Sequence, residues 1–224
     1  MALDGSTDRY PSAPWRLRGD AALHVQPVAA AAAARFVPPS FAIVPIAPGL
    51  TLGAVGLAEY GAGSTLRYRE LLVVAALVRH RGKLGAWISH IYVDEPRSQD
   101  AGREIWGLPK EIARFDDDLD ARTTVWRGAT PLCVMTRPSA AATLRLPLFA
   151  PVLSLLDRRA LWFQGVGSAR CRIGRSEIHV PAHSPLAELG FDRGWRIDLT
   201  DLDLIVPPPR RGRRELDVSA GAAQ

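Results

Sequence analysis

Lysine is nearly absent from this chain of 224 residues, whose 28 cationic side chains comprise 26 arginines and two lysines, Lys83 and Lys110. An arginine holds its proton at any workable pH, whereas a desolvated lysine becomes a neutral amine that attacks carbonyl groups. A lysine retained in such a chain is therefore a candidate nucleophile. Composition alone favours the ordinary alternative, in which Lys110 is a surface lysine after the turn residue Pro109. Lys83 lies in a basic hairpin turn that predicts a solvated loop.

Cysteine is also scarce, with only Cys133 and Cys171, and neither belongs to a CxxC pair. This usage excludes a disulfide framework and favours two buried thiols in a reducing compartment. The five histidines do not cluster at the spacing of metal ligands. His179 and His183 are four residues apart, but Pro181 between them excludes the helix that would bring them together. No metal site is indicated.

The familiar local motifs of several enzyme classes are missing as well. The chain has no glycine-rich phosphate loop, no GxSxG elbow and no HExxH pair, so common nucleotide-binding and hydrolase sites are not supported. Its longest apolar run, Leu71 to Val78, is too short to span a bilayer. Residues 1–14 lack the basic and then apolar layout of a signal peptide. We therefore expect a soluble, cytoplasmic protein that does not bind a membrane.

Basic charge is concentrated near the C-terminus. The formal net charge is +5, and the four arginines at residues 210–214 with the acids Glu215 and Asp217 contribute +2 of it, which leaves +3 for the rest of the chain. No stripe of alternating aromatic and basic residues appears, so nucleic-acid binding is not indicated. The length favours one domain over two. We predict a disordered leader at residues 1–14, a single domain at 15–208 and a flexible basic tail at 209–224.

Strands dominate the pattern of apolar residues and turn signals. Because many strands and few helices are separated by short turns, we expect an α+β, mostly β fold built on a closed or nearly closed antiparallel barrel. Two helices are predicted, Val28–Phe36 from its alanine run and Ser98–Trp106 with Ser98 as its cap, and Leu144–Leu156 is interpreted as a covering loop. Strands are predicted at 21–25, 41–46, 50–60, 66–78, 84–93, 111–115, 123–127, 131–136, 161–173, 178–181 and 195–206.

Lys110 follows an abrupt helix end. Gly107 closes the second predicted helix and Pro109 forbids its continuation, so the chain reaches Lys110 extended. A free lysine has a pKa of about 10.4, and burial in an apolar cavity lowers a lysine pKa by roughly 3–5 pH units. Trp106 and Leu108 supply apolar neighbours. A buried Lys110 would thus suit Schiff-base chemistry at neutral pH.

Glu70 begins the most hydrophobic predicted strand. Alternation places it on one face with Leu72 and Val74, so it is either a surface residue at the end of a sheet or an acid inside a cavity. An acid beside a Schiff-base lysine could move protons to and from an enamine. His90 alternates with Ile88 and Tyr92, which favours a core or barrel-wall histidine over a catalytic one.

Two motifs are similar to those of a known family. The run Gly102-Arg103-Glu104 followed by Trp106-Gly107-Leu108-Pro109-Lys110 resembles the signature of the acetoacetate decarboxylase-like superfamily, which leads into its Schiff-base lysine. Tyr68-x-Glu70 matches the position of that family's active-site glutamate, and Ile205-Val206-Pro207 resembles its C-terminal end. The similarity spans most of residues 15–208, and only the two central motifs are specific.

This resemblance implies a double-cone β-barrel, a homo-oligomer of two or more subunits, and no metal or organic cofactor. It implies that Lys110 and Glu70 are catalytic and that a small keto acid is the substrate. Candidate substrate contacts are Tyr68, Trp106 and Arg18, with Arg16 as an alternative to Arg18 for holding a carboxylate. Structural roles fall to Arg103, Gly107 and Pro109.

One position departs from the family pattern. Decarboxylases of the family carry a second lysine directly after the nucleophile, where this chain has Glu111. Adjacent strand residues face opposite ways, so Glu111 is expected to point away from the amine of Lys110. The substitution leaves the imine in place as an expectation and puts acetoacetate itself in doubt.

We therefore expect a lyase that needs no cofactor, with decarboxylation of a β-keto acid first and aldolase-dehydratase chemistry on pyruvate-like substrates second. A barrel that binds a small molecule without turning it over, and a purely structural role, are the remaining alternatives.

Overall fold

A computed structural model describes residues 9–138 and 144–211 of the chain, and these residues form mostly strands. The first half contains β1 (Trp15–Ala29), α1 (Ala30–Ala33), β2 (Ala42–Ile43), β3 (Leu50–Tyr60), β4 (Tyr68–His80), β5 (Lys83–Val93) and α2 (Pro96–Trp106). The second half contains β6 (Lys110–Ile112), β7 (Arg114–Asp117), β8 (Arg122–Arg127), β9 (Thr130–Thr136), β10 (Leu144–Leu156), β11 (Arg159–Glu177), a 3₁₀ turn (Ala187–Leu189), β12 (Arg193–Val206) and β13 (Arg210–Arg211).

Seven strands close into a barrel in the order β1–β3–β4–β5–β10–β11–β12 and back to β1. Because the sheet closes on itself, few of its strand edges are left without a hydrogen-bonded partner. The predicted mostly β, α+β barrel is confirmed. The structure adds two parallel pairings to the expected antiparallel arrangement, because β10 and β6 both run parallel to β5 along different parts of it.

Strand alternation sorts the apolar side chains into two cores. One core fills the barrel and includes Trp15, Leu17, Val93, Trp106 and Phe163. The other joins the outer wall of the barrel to a second, three-stranded sheet of β7, β8 and β9, and includes Val73, Tyr92, Phe115, Val125 and Leu132. The second sheet thereby covers one wall of the barrel and leaves the interior core to form the site described below.

The predicted helix Val28–Phe36 is wrong in extent, since only Ala30–Ala33 is α-helical. Val28 belongs to β1, lies opposite Thr51 of β3 and is 2% exposed. Alanine has the highest intrinsic helix propensity, but the whole propensity range is below about 1 kcal/mol per ordinary residue. Burying Val28 in a paired strand outweighs it.

The predicted covering loop at Leu144–Leu156 is also wrong, because this segment is strand β10 and pairs with β11 along its whole length. Pro147 and Pro151 had suggested a loop. A proline removes one strand donor and is tolerated where that side of the strand is not hydrogen-bonded. The pairing of β10 with β5 begins only at Val152, after both prolines.

Contacts of the domain extend beyond both of its predicted boundaries. Within the expected leader, Arg9 pairs with Asp100 and Glu104 on α2, and the Tyr10 hydroxyl donates to Glu104. Within the expected tail, β13 pairs with β11. Residues 1–8 and 212–224 lie outside the described residues, so the predictions of disorder there remain predictions. No helix within the described ranges is long and apolar enough to cross a membrane.

His24 lies in a buried polar network at one end of β1. It is 2% exposed, its Nδ1 lies 2.8 Å from Ser176 Oγ, and its Nε2 lies 2.9 Å from Gln26 Oε1. The amide orientation of Gln26 is defined, because its Nε2 donates to the carbonyl of Gly190 and its Oε1 accepts from the backbone N–H of Asp192. Nε2 of His24 therefore carries the proton, and Nδ1 accepts from Ser176.

This network makes folding stability sensitive to acid. Burial lowers the pKa of His24 below the ordinary value of about 6.5, so in the interval between the two pKa values the unfolded chain binds a proton that the folded chain does not. The contribution of His24 to the free energy of unfolding is therefore complete above about pH 6.5. It is lost as the pH decreases from there through the folded pKa. Urea denaturation at several pH values should show this loss, reduced in His24→Gln and unchanged in the control His183→Gln, which alters an exposed residue.

Candidate active site around Lys110

Lys110 is the first residue of β6, and the chain reaches it directly from α2. That helix ends at Trp106 because Gly107 adopts a left-handed φ of 61° and Pro109 cannot donate a helical hydrogen bond. Strand β6 then pairs with β5, with Lys110 opposite Ile91. The predicted helix end and extended exit are confirmed. The register directs the Lys110 side chain into the barrel, where the residue is only 4% exposed.

Glu70 reaches the same point from β4. In the pairing of β4 with β5, Leu72 lies opposite Ile91, and Glu70 is two residues before Leu72 on the same face. Glu70 is 5% exposed, and its Oε2 lies 2.8 Å from Nζ of Lys110. Both surface interpretations, for the lysine and for the glutamate, are therefore excluded.

A serine completes the surroundings of the amine. Nζ of Lys110 donates to Ser98 Oγ at 2.9 Å and lies 4.9 Å from the ring centre of Tyr68. Ser98 was predicted to cap α2, and this is wrong, because the helix begins earlier. The cap is Glu95, whose carboxylate accepts from the backbone N–H of Arg97. Ser98 is fully buried in the first turn and faces the barrel.

Two tyrosines surround the carboxylate of Glu70. The Tyr60 hydroxyl donates to Glu70 Oε1 at 3.3 Å, and the rings of Tyr60 and Tyr68 lie 4.9 Å apart. Burial raises the pKa of both phenols well above 10, and the negative charge of Glu70 raises them further. Both phenols therefore stay protonated and act as hydrogen-bond donors at neutral pH.

The ion pair has a chemical consequence. Transfer of one proton over the 2.8 Å between Lys110 and Glu70 turns the pair into a neutral amine and a neutral acid. The pair has no net charge either before the transfer, as ammonium and carboxylate, or after it, as amine and acid. The transfer therefore creates no isolated charge in this low-dielectric site. The arrangement can thus present a nucleophilic amine with a proton donor beside it.

A cavity of about 140 Å³ lies next to the amine. Its wall is apolar and aromatic apart from the Lys110–Glu70 pair and the two tyrosine hydroxyls. It is lined by Trp15, Leu17, Tyr60, Tyr68, Glu70, Leu72, Ile88, Ile91, Trp106, Leu108, Lys110, Ala150, Val152, Phe163, Gly165, Leu204 and Val206. The predicted contacts Tyr68 and Trp106 are among these residues. The enclosed part of this cavity has room for about six non-hydrogen atoms, since engineered cavities of about 150 Å³ bind benzene, and its open side admits longer molecules.

Residues with predicted structural roles hold the backbone around this cavity. Arg103 Nε donates to the backbone oxygen of Lys110 at 2.7 Å, which ties β6 to α2. Trp106 Nε1 donates to the backbone oxygen of Pro207 at 2.9 Å. A Cβ on Gly107 would lie 2.7 Å from the backbone oxygen of Leu155, so only glycine fits there. Pro109 is exposed and acts at the helix end described above.

Three positions named in the sequence analysis lie away from the cavity. Arg18 is not brought to Lys110, because it faces outward and its Nε lies 3.7 Å from Asp203, and Arg16 pairs with the same carboxylate at 2.5 Å. Glu111 also points away, as expected from alternation, and pairs with Arg127. The expected substrate contact by Arg18 or Arg16 is therefore not supported inside this cavity.

Ser98 and Tyr60 are the polar neighbours that sequence reasoning missed. Ser98 carried a helix-start signal that hid its role, although its place in the first turn before the Gly102 motif could have suggested an inward position. Tyr60 ends β3 and lies opposite Tyr68, so its role depends on the pairing of β3 with β4. No local signal marks that pairing.

Gly102 leaves the space through which the Lys110 side chain passes. A Cβ at this helical position would lie 2.4 Å from Lys110 Cδ, far inside van der Waals contact. We expect Gly102→Ala to displace the amine from Glu70 and to lower the free energy of unfolding by about 1–3 kcal/mol, the usual cost of overpacking. Urea denaturation measures the loss. Gly174→Ala is the matched control, since a Cβ there meets no atom within 4 Å, and equal effects in the two variants would contradict the explanation.

Among the residues that the structure describes, no group of three or more histidine, cysteine or acidic side chains could hold a metal ion. Cys133 and Cys171 are both free thiols, and burial raises the pKa of Cys133 to about 12. A thiolate nucleophile at Cys133 is therefore disfavoured. The chemistry of the cavity rests on the lysine, the carboxylate and the hydroxyls.

Part of the chain is similar in sequence to curated plant proteins. Protein NEOXANTHIN-DEFICIENT 1 of Arabidopsis thaliana is 34% identical over 112 residues, which are 50% of this chain and 39% of that protein. The chain thus matches about two fifths of the length of this curated relative.

Solved structures share the fold at low sequence identity. Acetoacetate decarboxylase from Legionella pneumophila superposes with a TM-score of 0.64 at 16% identity, over 95% of this chain and 92% of that one. The enduracididine biosynthesis enzyme MppR, complexed with the condensation product of pyruvate and imidazole 4-carboxaldehyde, superposes with a TM-score of 0.63 at 13% identity, over 94% of each chain. The sequence profile described as acetoacetate decarboxylase (ADC) matches residues 5–139, more than half of the chain, and the protein therefore belongs to the acetoacetate decarboxylase family.

Proposed function

We propose that this protein is a cofactor-free lyase that forms a Schiff base between Lys110 and a small keto acid, with decarboxylation of a β-keto acid as its reaction. The observation that carries the proposal is the buried Nζ of Lys110, 2.8 Å from Glu70 and beside an apolar cavity. A buried lysine at the wall of a cavity is costly to maintain for packing alone, because its charge must be desolvated and paired. Membership of the acetoacetate decarboxylase family supports the same chemistry.

The proposed reaction begins with proton transfer from Lys110 to Glu70. The neutral amine attacks the keto carbon, the carbonyl oxygen leaves as water, and an iminium ion remains. The electrons of the bond to the carboxyl carbon then move toward the iminium nitrogen, which releases carbon dioxide and leaves an enamine. Glu70, 2.8 Å from the amine, gives its proton to the departing oxygen, takes up another proton from water and delivers it to the enamine carbon. Water then hydrolyses the imine and frees Lys110.

Aldolase-dehydratase chemistry through the same imine is the second candidate. It is favoured by the fold shared with MppR, which was solved with a condensation product of pyruvate and an aldehyde. In that reaction the substrate carboxylate is retained to the end. The two candidates therefore differ in what becomes of the carboxylate once the imine has formed.

Borohydride reduction tests the proposal and separates the two candidates. The protein is incubated with acetoacetate, pyruvate or a longer keto acid, reduced, digested and weighed by mass spectrometry. Decarboxylation predicts a Lys110 peptide carrying the reduced ketone without its carboxyl group, together with release of carbon dioxide. Aldolase-dehydratase chemistry predicts a reduced adduct that keeps the carboxyl group. In a parallel reaction without borohydride, it predicts consumption of an added aldehyde.

A non-catalytic binding barrel predicts a different result. A ligand would raise the melting temperature without any adduct, and Lys110→Ala would leave its affinity unchanged. The absence of an adduct with every keto acid tested would contradict the imine and favour this alternative.

A further inference from the structure

The charged side chains that line the cavity are already paired with each other. Among the described residues that line it, the charged ones are Lys110 and Glu70, and these two neutralise each other at 2.8 Å. The other lining residues are aliphatic, aromatic or glycine, and their polar groups include the uncharged hydroxyls of Tyr60 and Tyr68, of which Tyr60 already donates to Glu70. A substrate carboxylate in this space would be a third charge, without a second cation to pair with it.

Strand register keeps the nearby arginines outside. Along β1, Trp15 and Leu17 are buried and line the cavity, whereas Arg16 and Arg18 alternate with them and face Asp203 on the outer surface. The alternation is fixed by the pairing of β1 with β12, in which Trp15 lies opposite Val206. Bringing either arginine inside would require a slip of one residue, which would also expose Trp15 and Leu17.

The wall next to the amine suits an uncharged group instead. Trp106 and Phe163 lie 6.5 Å apart, centre to centre, and Val152 and Leu204 complete an apolar surface. At about 140 Å³ the cavity accepts a short acyl or alkyl group of about six non-hydrogen atoms. Apolar contact with this surface is the main source of binding free energy for such a group.

We infer that the site selects small carbonyl compounds with an apolar substituent and leaves any substrate carboxylate without a cationic partner. The inference rests on the proposed imine at Lys110. It follows that uncharged carbonyl compounds form the imine at lower concentrations than acids of the same shape. It also follows that loss of carbon dioxide removes the unpaired charge of a keto acid and the free-energy cost of burying it. Pyruvate-like substrates keep the carboxylate and are disfavoured.

Matched acids and esters that cannot lose carbon dioxide test this inference. Pyruvate is compared with methyl pyruvate, and levulinate with methyl levulinate, by borohydride trapping and intact-protein mass spectrometry. We expect each ester to reach half-maximal labelling of Lys110 at a concentration at least about tenfold lower than its acid. Labelling by the acids at equal or lower concentrations would overturn the inference while leaving the imine established. The absence of an adduct with all four compounds would overturn the imine and the inference together.

Two variants change the cations on the two sides of the barrel wall. Leu17→Arg adds a guanidinium to the cavity lining, and we expect it to shift the preference toward the acids. Arg18→Leu removes the neighbouring cation from the outer surface, and we expect the ratio of ester to acid to stay that of the wild type. If Arg18→Leu instead weakens labelling by the acids alone, Arg18 holds the carboxylate and the inference is wrong. The wild-type ratio decides the question even where Leu17→Arg does not fold.

Discussion

Lys110→Arg is expected to abolish the borohydride-trapped adduct and to reduce turnover of any keto-acid substrate by at least about a thousandfold, about 4 kcal/mol of barrier. Arginine retains the positive charge opposite Glu70 but cannot become a neutral amine nucleophile. The variant thus separates the chemistry of the lysine from its electrostatic role. The measurements are intact-protein mass after reduction and the rate of carbon dioxide release.

The chain supplies its own control for this experiment. Its other lysine, Lys83, is exposed and lies over the ring of Trp162, far along the sequence from the motif. Lys83→Arg should leave adduct formation and turnover at wild-type levels. With only two lysine side chains in the protein, a labelled peptide identifies the reacting residue without ambiguity. Retention of the adduct in Lys110→Arg would contradict the proposed function.

Breaking the buried ion pair on one side is expected to destabilise the fold by about 3–5 kcal/mol, because it leaves a buried charge without its partner. Lys110→Met leaves the carboxylate of Glu70 unpaired, and Glu70→Leu leaves the ammonium of Lys110 unpaired, each at about 5% exposure. The double variant removes both charges and should recover most of the loss, since well-packed apolar residues often replace a buried pair at little cost.

Urea denaturation of the four proteins gives a double-mutant cycle for this pair. Strong non-additivity is the expected outcome, with the double variant more stable than either single variant. Lys110→Arg serves as a charge-conserving control and should lose less stability than Lys110→Met. Additive effects would mean that the two side chains do not interact in solution as they do at 2.8 Å in the structure.

Local features of the site were predictable because their signals lie within a few residues. The helix end at Trp106, Gly107 and Pro109 depends on backbone preferences that act within one turn. Alternation along β4 and β6 likewise predicts that Glu70 lies on the same strand face as Leu72 and that the side chain of Glu111 points away from that of Lys110. These predictions needed only the side-chain period of a strand.

The errors arise where long-range pairing competes with local preference. The alanine run predicts a longer helix because alanine has a high helix propensity, but Val28 belongs to a strand. Pro147 and Pro151 suggest a loop. A strand accepts proline where one of its sides has no hydrogen-bonded neighbour, and β10 pairs with β5 only from Val152 onward. In both places the burial and pairing of neighbouring strands outweighed preferences of a kcal/mol or less.

The sequence by itself determined the reactive groups of this site, which are one lysine directly after a helix end and one glutamate on the inward face of a strand. Only the tertiary structure decided that Ser98 and Tyr60 join them, that Arg18 does not, and that the remaining cavity wall is apolar. The physical reason is that each of these outcomes depends on the register between strands distant in the chain. A shift of one residue in β1 exchanges its inward and outward side chains, and barrel closure with the burial of Trp15 selects one register over the other.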